Sequence, residues 1–485
     1  MRGLPAARFG EIMAITLQTL KVEGVNDIKD MPILQVEINH EANEYARARL
    51  MLIADEKKAQ TFMAQASATD KIKISGKDGK KEVILFLGYI VNIIFQTEVG
   101  YNQLTIDLCD SSYLLDIKRQ NSSFQQLNSK YEEILKPQIS ESKGKIQFKV
   151  TDKAIEKIIL QLNETSWEFT KRIASQFNAS IFTNVIAETP LITIGLPDPK
   201  ETVEINTGNF SYEFDAAQYD FVNSNPDLLA KGTKVIAEDF FSVTLSGSFQ
   251  YLNLGDVVKR DKKEYRVKKL TIRFDEDFLR ATYTLVDKTG FFVPKVEPMN
   301  IRGRIFRAQV KKVEKDKVQA HLIDIDKKYD DKSTTWFPFA TPYSSADGSG
   351  WYVMPEVDDY VRIIFPSEDT ADAFAISSIN SAPLKETKNK SLKAPGGREL
   401  LLTDKGVEII AEHQKTFILL DKDKGISVVS AKDITVHADG NISFEAGGKI
   451  QMVAQKEIAA QSGQSHVKIL SNQIDMGGSN IIVGE

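Results

Sequence analysis

The stretch Ile434-Thr435-Val436-His437-Ala438-Asp439-Gly440-Asn441-Ile442-Ser443-Phe444-Glu445-Ala446-Gly447-Gly448-Lys449-Ile450-Gln451-Met452-Val453-Ala454 decides the fold of the last eighty-odd residues. Isoleucine returns every eight positions, at Ile410, Ile418, Ile426, Ile434, Ile442, Ile450 and Ile458. Leu402 begins the series, His466 interrupts it, and Ile474 and Ile482 resume it in phase. An α-helix cannot use this period, because eight residues are about 2.2 turns and the stripe would walk around the cylinder. A strand with a corner can. Two positions after each Ile stands a second apolar residue (Leu420, Val428, Val436, Phe444, Met452, Ala460), which is the alternation of one strand face. Four positions after it the residue is small, and corner residues such as Asp439-Gly440-Asn441 and Gly447-Gly448-Lys449 follow.

One such strand cannot bury its apolar face alone, so the units must stack. One chain could coil as a β-solenoid, or three copies could wrap around one axis as a triple-stranded β-helix. A solenoid coil would consume three octads, leaving only a few coils, and the pattern favours the homotrimer. Strands stacked at ~4.7 Å would then make about ten octads into a shaft roughly 45–50 Å long.

Composition bounds the rest. A chain of 485 residues holds several domains. Its net charge of −5 offers no electrostatic reason to expect nucleic acid as a partner. The single cysteine, Cys109, excludes an intramolecular disulfide framework and Cys-rich zinc modules, and it falls in the strand-like run Leu104, Ile106, Leu108. Residues 1–14 have Arg2 and Arg8 but no sustained apolar core, so they do not read as a signal peptide. The longest apolar run, Val83 to Phe95, is too short for a membrane-spanning helix. Synthesis and folding in the cytoplasm are expected.

After the N-terminal extension (1–14), residues 15–120 read as a β-barrel, with strands at 33–38, 47–52, 83–94 and 104–108, a short helix at 59–66 and a hairpin turn at 76–81. Residues 121–205 are mixed α/β. Phe124 to Ile139 carries helical signals with a stop at Pro137. Asn163 to Asn178 is a stronger helix: Thr165 and Glu168 form a capping box, Phe169, Ile173 and Phe177 recur every four positions, and Trp167 joins the first turn. These spacings describe a core helix docked on a sheet. Residues 206–296 read as a second barrel, with strands at 240–249 and 254–258 and a hairpin around 275–277. Residues 297–382 form a small separate β domain whose five short strands suit an OB-type barrel. Asp324, Asp326, Asp330, Asp331, Asp358 and Asp359 make it acidic, unlike the basic grooves that hold single-stranded nucleic acid. A lysine-rich linker (383–400) leads to the octads (401–485).

Four stretches in this order carry a resemblance. Leu162-Asn163-Glu164-Thr165-Ser166-Trp167-Glu168-Phe169 with Arg172-Ile173-Ala174 resembles the hub region of VgrG proteins. Trp336-Phe337-Pro338-Phe339-Ala340-Thr341-Pro342 with Gly350-Trp351-Tyr352-Val353-Met354-Pro355-Glu356-Val357-Asp358-Asp359 looks like their OB-type domain. Phe86-Leu87-Gly88-Tyr89-Ile90 is similar to a strand of their first barrel, and the octads complete the order. The family is the hub and spike of contractile injection systems and phage tails. The resemblance implies a homotrimer beneath the hexameric inner tube, with baseplate proteins as neighbours. It also implies a needle that punctures a target membrane mechanically, with a tip-capping protein or effector cargo as further partners.

The sequence offers no enzyme. No HExxH motif or nucleophile elbow is present, and no cofactor is implied. Some relatives carry a lysozyme before the needle or a toxin after it, and this chain has neither. His466 takes an inward octad position, where three imidazoles on an axis could hold a metal or an anion. The rival reading is a register slip that turns Val467 and Ile469 inward. The His-x-His pair through which some relatives bind iron is replaced by His466-Val467-Lys468. Two other functions compete with the spike: a receptor-binding trimeric fibre or adhesin, and a β-solenoid polysaccharide enzyme.

Overall fold

The computed structural model describes residues 15–482 except 26–27, 79–80, 99, 249, 276–277, 299–300 and 379–385. The N-terminal extension, the tips of the two expected hairpins and the start of the linker therefore lie outside the described residues. The chain divides into two compact units, Met1–Ser381 and Ala382–Glu485. Among the described residues no helix is long and apolar enough to cross a membrane.

The first unit is built on one twelve-stranded sheet. Its N-terminal half contains Lys71–Asp78, Lys81–Glu98, Tyr101–Cys109, Arg47–Ile53 and Ile33–Glu41 in that spatial order; its C-terminal half continues with Lys263–Asp275, Phe278–Val286, Phe241–Ser248 and Asn209–Phe214. The sequence predicts two barrels. Their strands instead join through the antiparallel pair Ile33–Glu41 and Lys263–Asp275, where Val36 faces Phe274 and Ile38 faces Ile272. Residues opposite one another in a sheet point to the same side, so both halves feed one core. The seam's outer face is polar, with Glu37 paired to Arg273 and Glu41 to Lys269. Cys109 ends one of these strands in a buried position, and burial pushes its thiol up to about 11. The strand Asn209–Phe214, last in the order of this sheet, and the helix Ala216–Ser224 were not expected from the sequence.

The mixed segment holds the helices Tyr131–Ser140 and Ser166–Ser175. Helix begins later than the sequence suggests, because Arg119–Phe124 pairs as a strand with Ile159–Thr165. Pro137 does not stop the first helix but lies inside it. Its ring removes one backbone donor, and the helix continues for only three more residues.

The OB domain is a five-stranded sheet containing Arg304–Glu314, Lys317–Leu322, Phe337–Pro338, Tyr360–Phe365 and Phe374–Ile376. Phe339 bridges to Ala375 and closes it into a barrel. Val361, Ile363 and Phe365 face its core, as their alternation predicts. The domain is not separate, however. Ile158 and Leu160 of the mixed segment lie in the same core, and Asp326 accepts hydrogen bonds from the backbone and hydroxyl of Ser123.

The second unit begins with a five-stranded antiparallel meander: Lys390–Lys393, Glu399–Leu402, Gly406–Glu412, Thr416–Asp421 and Gly425–Val429. A three-stranded meander (Glu457–Ser462, Ser465–Leu470, Ile474–Gly477) lies near its end. Between them, three six-residue runs, 433–438, 441–446 and 449–454, belong to no strand; backbone bends at 431–432, 439–440, 447–448 and 455–456 separate them. The eight-residue period of the sequence is thus also the period of the backbone.

Candidate functional site

The octad side chains form the first candidate surface. In the five-stranded meander, Leu400 faces Ile409, Ile409 faces Ile418, and Ile418 faces Val428. Two residues along, Leu402 faces Val407, Val407 faces Leu420, and Leu420 faces Ile426. Between Leu400 and Val428 this face of the sheet is therefore largely aliphatic, with Lys390 opposite Leu402 at its edge. A contiguous exposed apolar face of this kind marks an interaction surface. Covering it is worth roughly 1.5–3 kcal/mol per side chain when burial is complete.

Two of the expected stripe positions are corrected by the structure. Ile418, Ile426, Ile434, Ile442, Ile450, Ile474 and Ile482 are all exposed, from 37 % to 91 %, and Ile458 is half-buried. Ile410, by contrast, is only 4 % exposed and pairs with Phe417 on the opposite face, and its neighbour Ile409 takes the stripe position. A register shift between Ile410 and Glu412 accompanies the change. The adjacent isoleucines 409 and 410 left the sequence unable to tell which one belonged to the stripe.

His466 also leaves the stripe. Its partners across the strands are Gln461 and Gly477, while Val467 lies between Ala460 and Met476, and Ile469 between Ile458 and Ile474. Val467 and Ile469 thus supply the apolar face, as the register-slip reading expects. The imidazole instead approaches Asp475 at 3.4 Å. Among the described residues no group of three or more His, Cys, Asp or Glu side chains is placed to hold a metal ion.

The second candidate surface surrounds the helix Ser166–Ser175. The Thr165 hydroxyl accepts the Glu168 backbone N–H at 3.1 Å, and the Glu168 carboxylate accepts the Thr165 N–H at 2.9 Å. The Thr165 hydroxyl in turn donates to Asp116 at 2.6 Å. Trp167, Phe169 and Ile173 are buried. Phe177 lies just beyond the helix and meets the Tyr131 ring edge-on at 5.1 Å. Asn178 stops the chain with a φ of 50°, a left-handed conformation that Asn tolerates. Its side chain binds the backbone of Leu228, Ala230 and Val293.

A cleft of about 660 Å³ opens beside this helix, lined by Tyr45, Asp116, Arg119, Trp167, Glu168 and Arg172. Two ion pairs cross its lining. Arg119 holds Glu168 with two bonds of 2.8 and 2.9 Å, and Arg172 holds Glu164 with two of 2.7 Å. Arg172 is nearly buried and also donates to the Leu160 carbonyl. Glu164 and Arg172 sit eight residues apart on different elements, so the sequence could not pair them.

One buried polar chain escaped the sequence reading. The Asp110 carboxylate accepts from the Ala46 and Ser112 backbones and from the Thr183 hydroxyl, at 2.7–2.8 Å. Thr183 therefore accepts from His40 Nε2, 3.0 Å away, which fixes that nitrogen as the protonated one. Burial pushes Asp110 up to about 6, against the pull of its three donors. Burial, then the charge of Lys200, pulls His40 down to about 3.

Comparison with known proteins agrees with this architecture. The family model described as the Alg8 N-terminal domain matches residues 13–264, more than half of the chain. The type VI secretion system/phage-baseplate injector OB domain matches residues 306–379. No curated protein matches. Among solved structures, an E. coli type VI secretion component described as similar to phage T4 tail proteins gp27 and gp5 aligns with a TM-score of 0.52 at 12% identity. That alignment covers 74% of this chain and 99% of the E. coli one. The Francisella PdpA–VgrG complex aligns at 0.53 and 12% identity, covering 87% of this chain and 81% of its own. The fold is that of VgrG-like and phage-tail proteins.

Proposed function

The chain belongs to the family of the Alg8 N-terminal domain, and from that premise we propose that it is the central hub and membrane-puncturing spike of a contractile injection system. Three copies assemble at the end of the inner tube, adapt the hexameric tube to a three-fold needle, and contact baseplate proteins. Effector cargo or a tip protein rides on the same particle. The role is mechanical rather than enzymatic.

The observation that carries this reading is the exposed aliphatic stripe of the octads, standing after an injector OB domain in the same chain. A needle under axial load must not unzip. Strands shared between copies place backbone hydrogen bonds between subunits and remove free sheet edges. The OB barrel and the mixed segment share one core through Ile158 and Leu160, so load entering the barrel passes into packed side chains rather than a linker.

Electron microscopy of particles assembled with a tag on the octad region tests the proposal. Label at the leading end of the inner tube is expected. Label along the outer fibres would instead favour the receptor-binding fibre.

A further inference from the structure

We propose that the first unit binds a hydroxy acid, a molecule with one carboxylate and at least one alcohol hydroxyl, in a cavity of about 270 Å³ beside His40. The site is independent of the injection role proposed above. Its wall is a three-stranded sheet made of Lys145–Phe148, Ile181–Thr183 and Leu191–Ile194. The first of these strands alternates polar and apolar residues. Ile146 and Phe148 pack against the core that holds Trp167 and Phe169, so Gln147 points the other way. Phe182 faces Thr193, and Thr193 faces Gln147. The three therefore stand in one row on the same side of the sheet, and all three line the cavity.

His40 lines the same cavity and is only 6 % exposed. Its Nε2–H is committed to the Thr183 hydroxyl, whose own proton goes to Asp110. Nδ1 therefore carries the lone pair of the ring. Among the described residues nothing donates to it. Burial, then the charge of Lys200, keeps the ring neutral. What this buried nitrogen lacks is thus a donor, and leaving such an acceptor unmet is costly. An alcohol hydroxyl supplies the donor without ionising near neutral pH.

The carboxylate has its place too. Lys149 and Lys200 also line the cavity. Lys149 already holds a carboxylate, that of Asp198, at 2.6 Å, and the Asp198 side chain is 83 % exposed. So exposed a partner adds little to stability, and a carboxylate from solution can take its position. Lys200 is exposed and makes no ion pair among the described residues. A phosphate monoester answers these lysines as well, but it gives up its last proton near pH ~6 and then has nothing to donate to Nδ1. A carboxylate joined to an alcohol meets both demands at once. The side chains of Gln147 and Thr193 make no hydrogen bond among the described residues, so they remain for further hydroxyls. Val185 and Leu191 give the carbon skeleton an apolar wall. A sugar acid is the class of ligand that uses all of these groups.

Calorimetric titration of the full-length protein with three probes tests the site. Sodium glucuronate carries both groups, sodium acetate only the carboxylate, and glucose only the hydroxyls. Glucuronate should bind at least about tenfold more tightly than either of the others. Asp198→Asn should tighten glucuronate binding by about 2–5-fold, because it removes the competing carboxylate, and Lys149→Met should weaken it. In the wild-type protein, nitrogen-15 spectra of labelled histidine should show the His40 Nδ1 signal moving as glucuronate is added. Acetate binding as tightly as glucuronate would overturn the proposal, and so would no binding at all. A His40 signal that stays still while glucuronate binds would overturn it too, as would an affinity that neither variant changes.

Discussion

Val36-Glu37-Ile38 and Ile434-Thr435-Val436 follow the same rule, apolar residues alternating with polar ones, yet they end in opposite environments. Val36 and Ile38 are at most 1 % exposed, packed in the core of the twelve-stranded sheet. Ile434 and Val436 are 58 % and 68 % exposed. Alternation states that a strand has a face to bury; it does not state whose surface will bury it. In the first unit, strands more than 200 residues apart in sequence meet within the chain and complete each other. In the central octads every neighbour repeats the same pattern, and among the described residues no strand of the chain pairs with them; the proposed assembly has another copy supply the missing layer. The first unit should therefore be stable alone, and the octads should be stable only in company.

The largest effect is expected where that dependence is strongest. Ile434→Asp with Ile442→Asp would bury two carboxylates per chain, at a cost of several kcal/mol each. Light scattering should show monomers, while the thermal transition of the first unit is unchanged. A smaller but still severe loss is expected inside the first unit. Glu164→Ala leaves the nearly buried Arg172 unpaired, and breaking such a pair costs about 3–5 kcal/mol. Denaturant unfolding should register that loss without a change in oligomeric state, the reverse of the octad variant.

Acid should act on the first unit through His40. Its native value of about 3 lies below the 6.5 of the unfolded chain, so the unfolded state takes up the proton first. The resulting stability is whole above pH 6.5 and is lost as pH falls toward 3, by up to about 1.4 kcal/mol per pH unit. Asp110 works in the opposite sense: raised from 3.8 to about 6, it takes its proton first in the native state and offsets part of the loss between those values. His40→Gln should flatten the acid limb of a stability–pH curve, and Asp110→Asn should steepen it. Thr165→Ala removes the helix cap and should cost about 1 kcal/mol in a thermal melt. The smallest effect belongs to the outer seam, where a double-mutant cycle on Glu37 and Arg273 should return no more than about 1 kcal/mol, because the pair is partly exposed.

Features set by neighbours in sequence were legible. The Thr165–Glu168 capping box, the inward alternation of Val361, Ile363 and Phe365, and the eight-residue period all depend on spacing alone. Features set by distant partners were not. Nothing local says that Ile38 will face Ile272, or that Ile158 and Leu160 will lie in the OB core. Pro137 misled because it removes a single N–H bond, the one to the Glu133 carbonyl, while the buried side chains of Ile134, Leu135 and Ile139 hold the helix in the core. Ile409 and Ile410 misled because a shift of one residue exchanges the two faces of a strand. His466 shows the same ambiguity resolved the other way, with Val467 and Ile469 on the apolar face.

The central claim is that the octad stripe is a surface between copies of one chain. Size-exclusion chromatography with light scattering on the full-length wild-type protein tests it most directly. A single species with the mass of three chains is the predicted result. A stable species with the mass of one chain, at concentrations where the protein remains soluble, would contradict it.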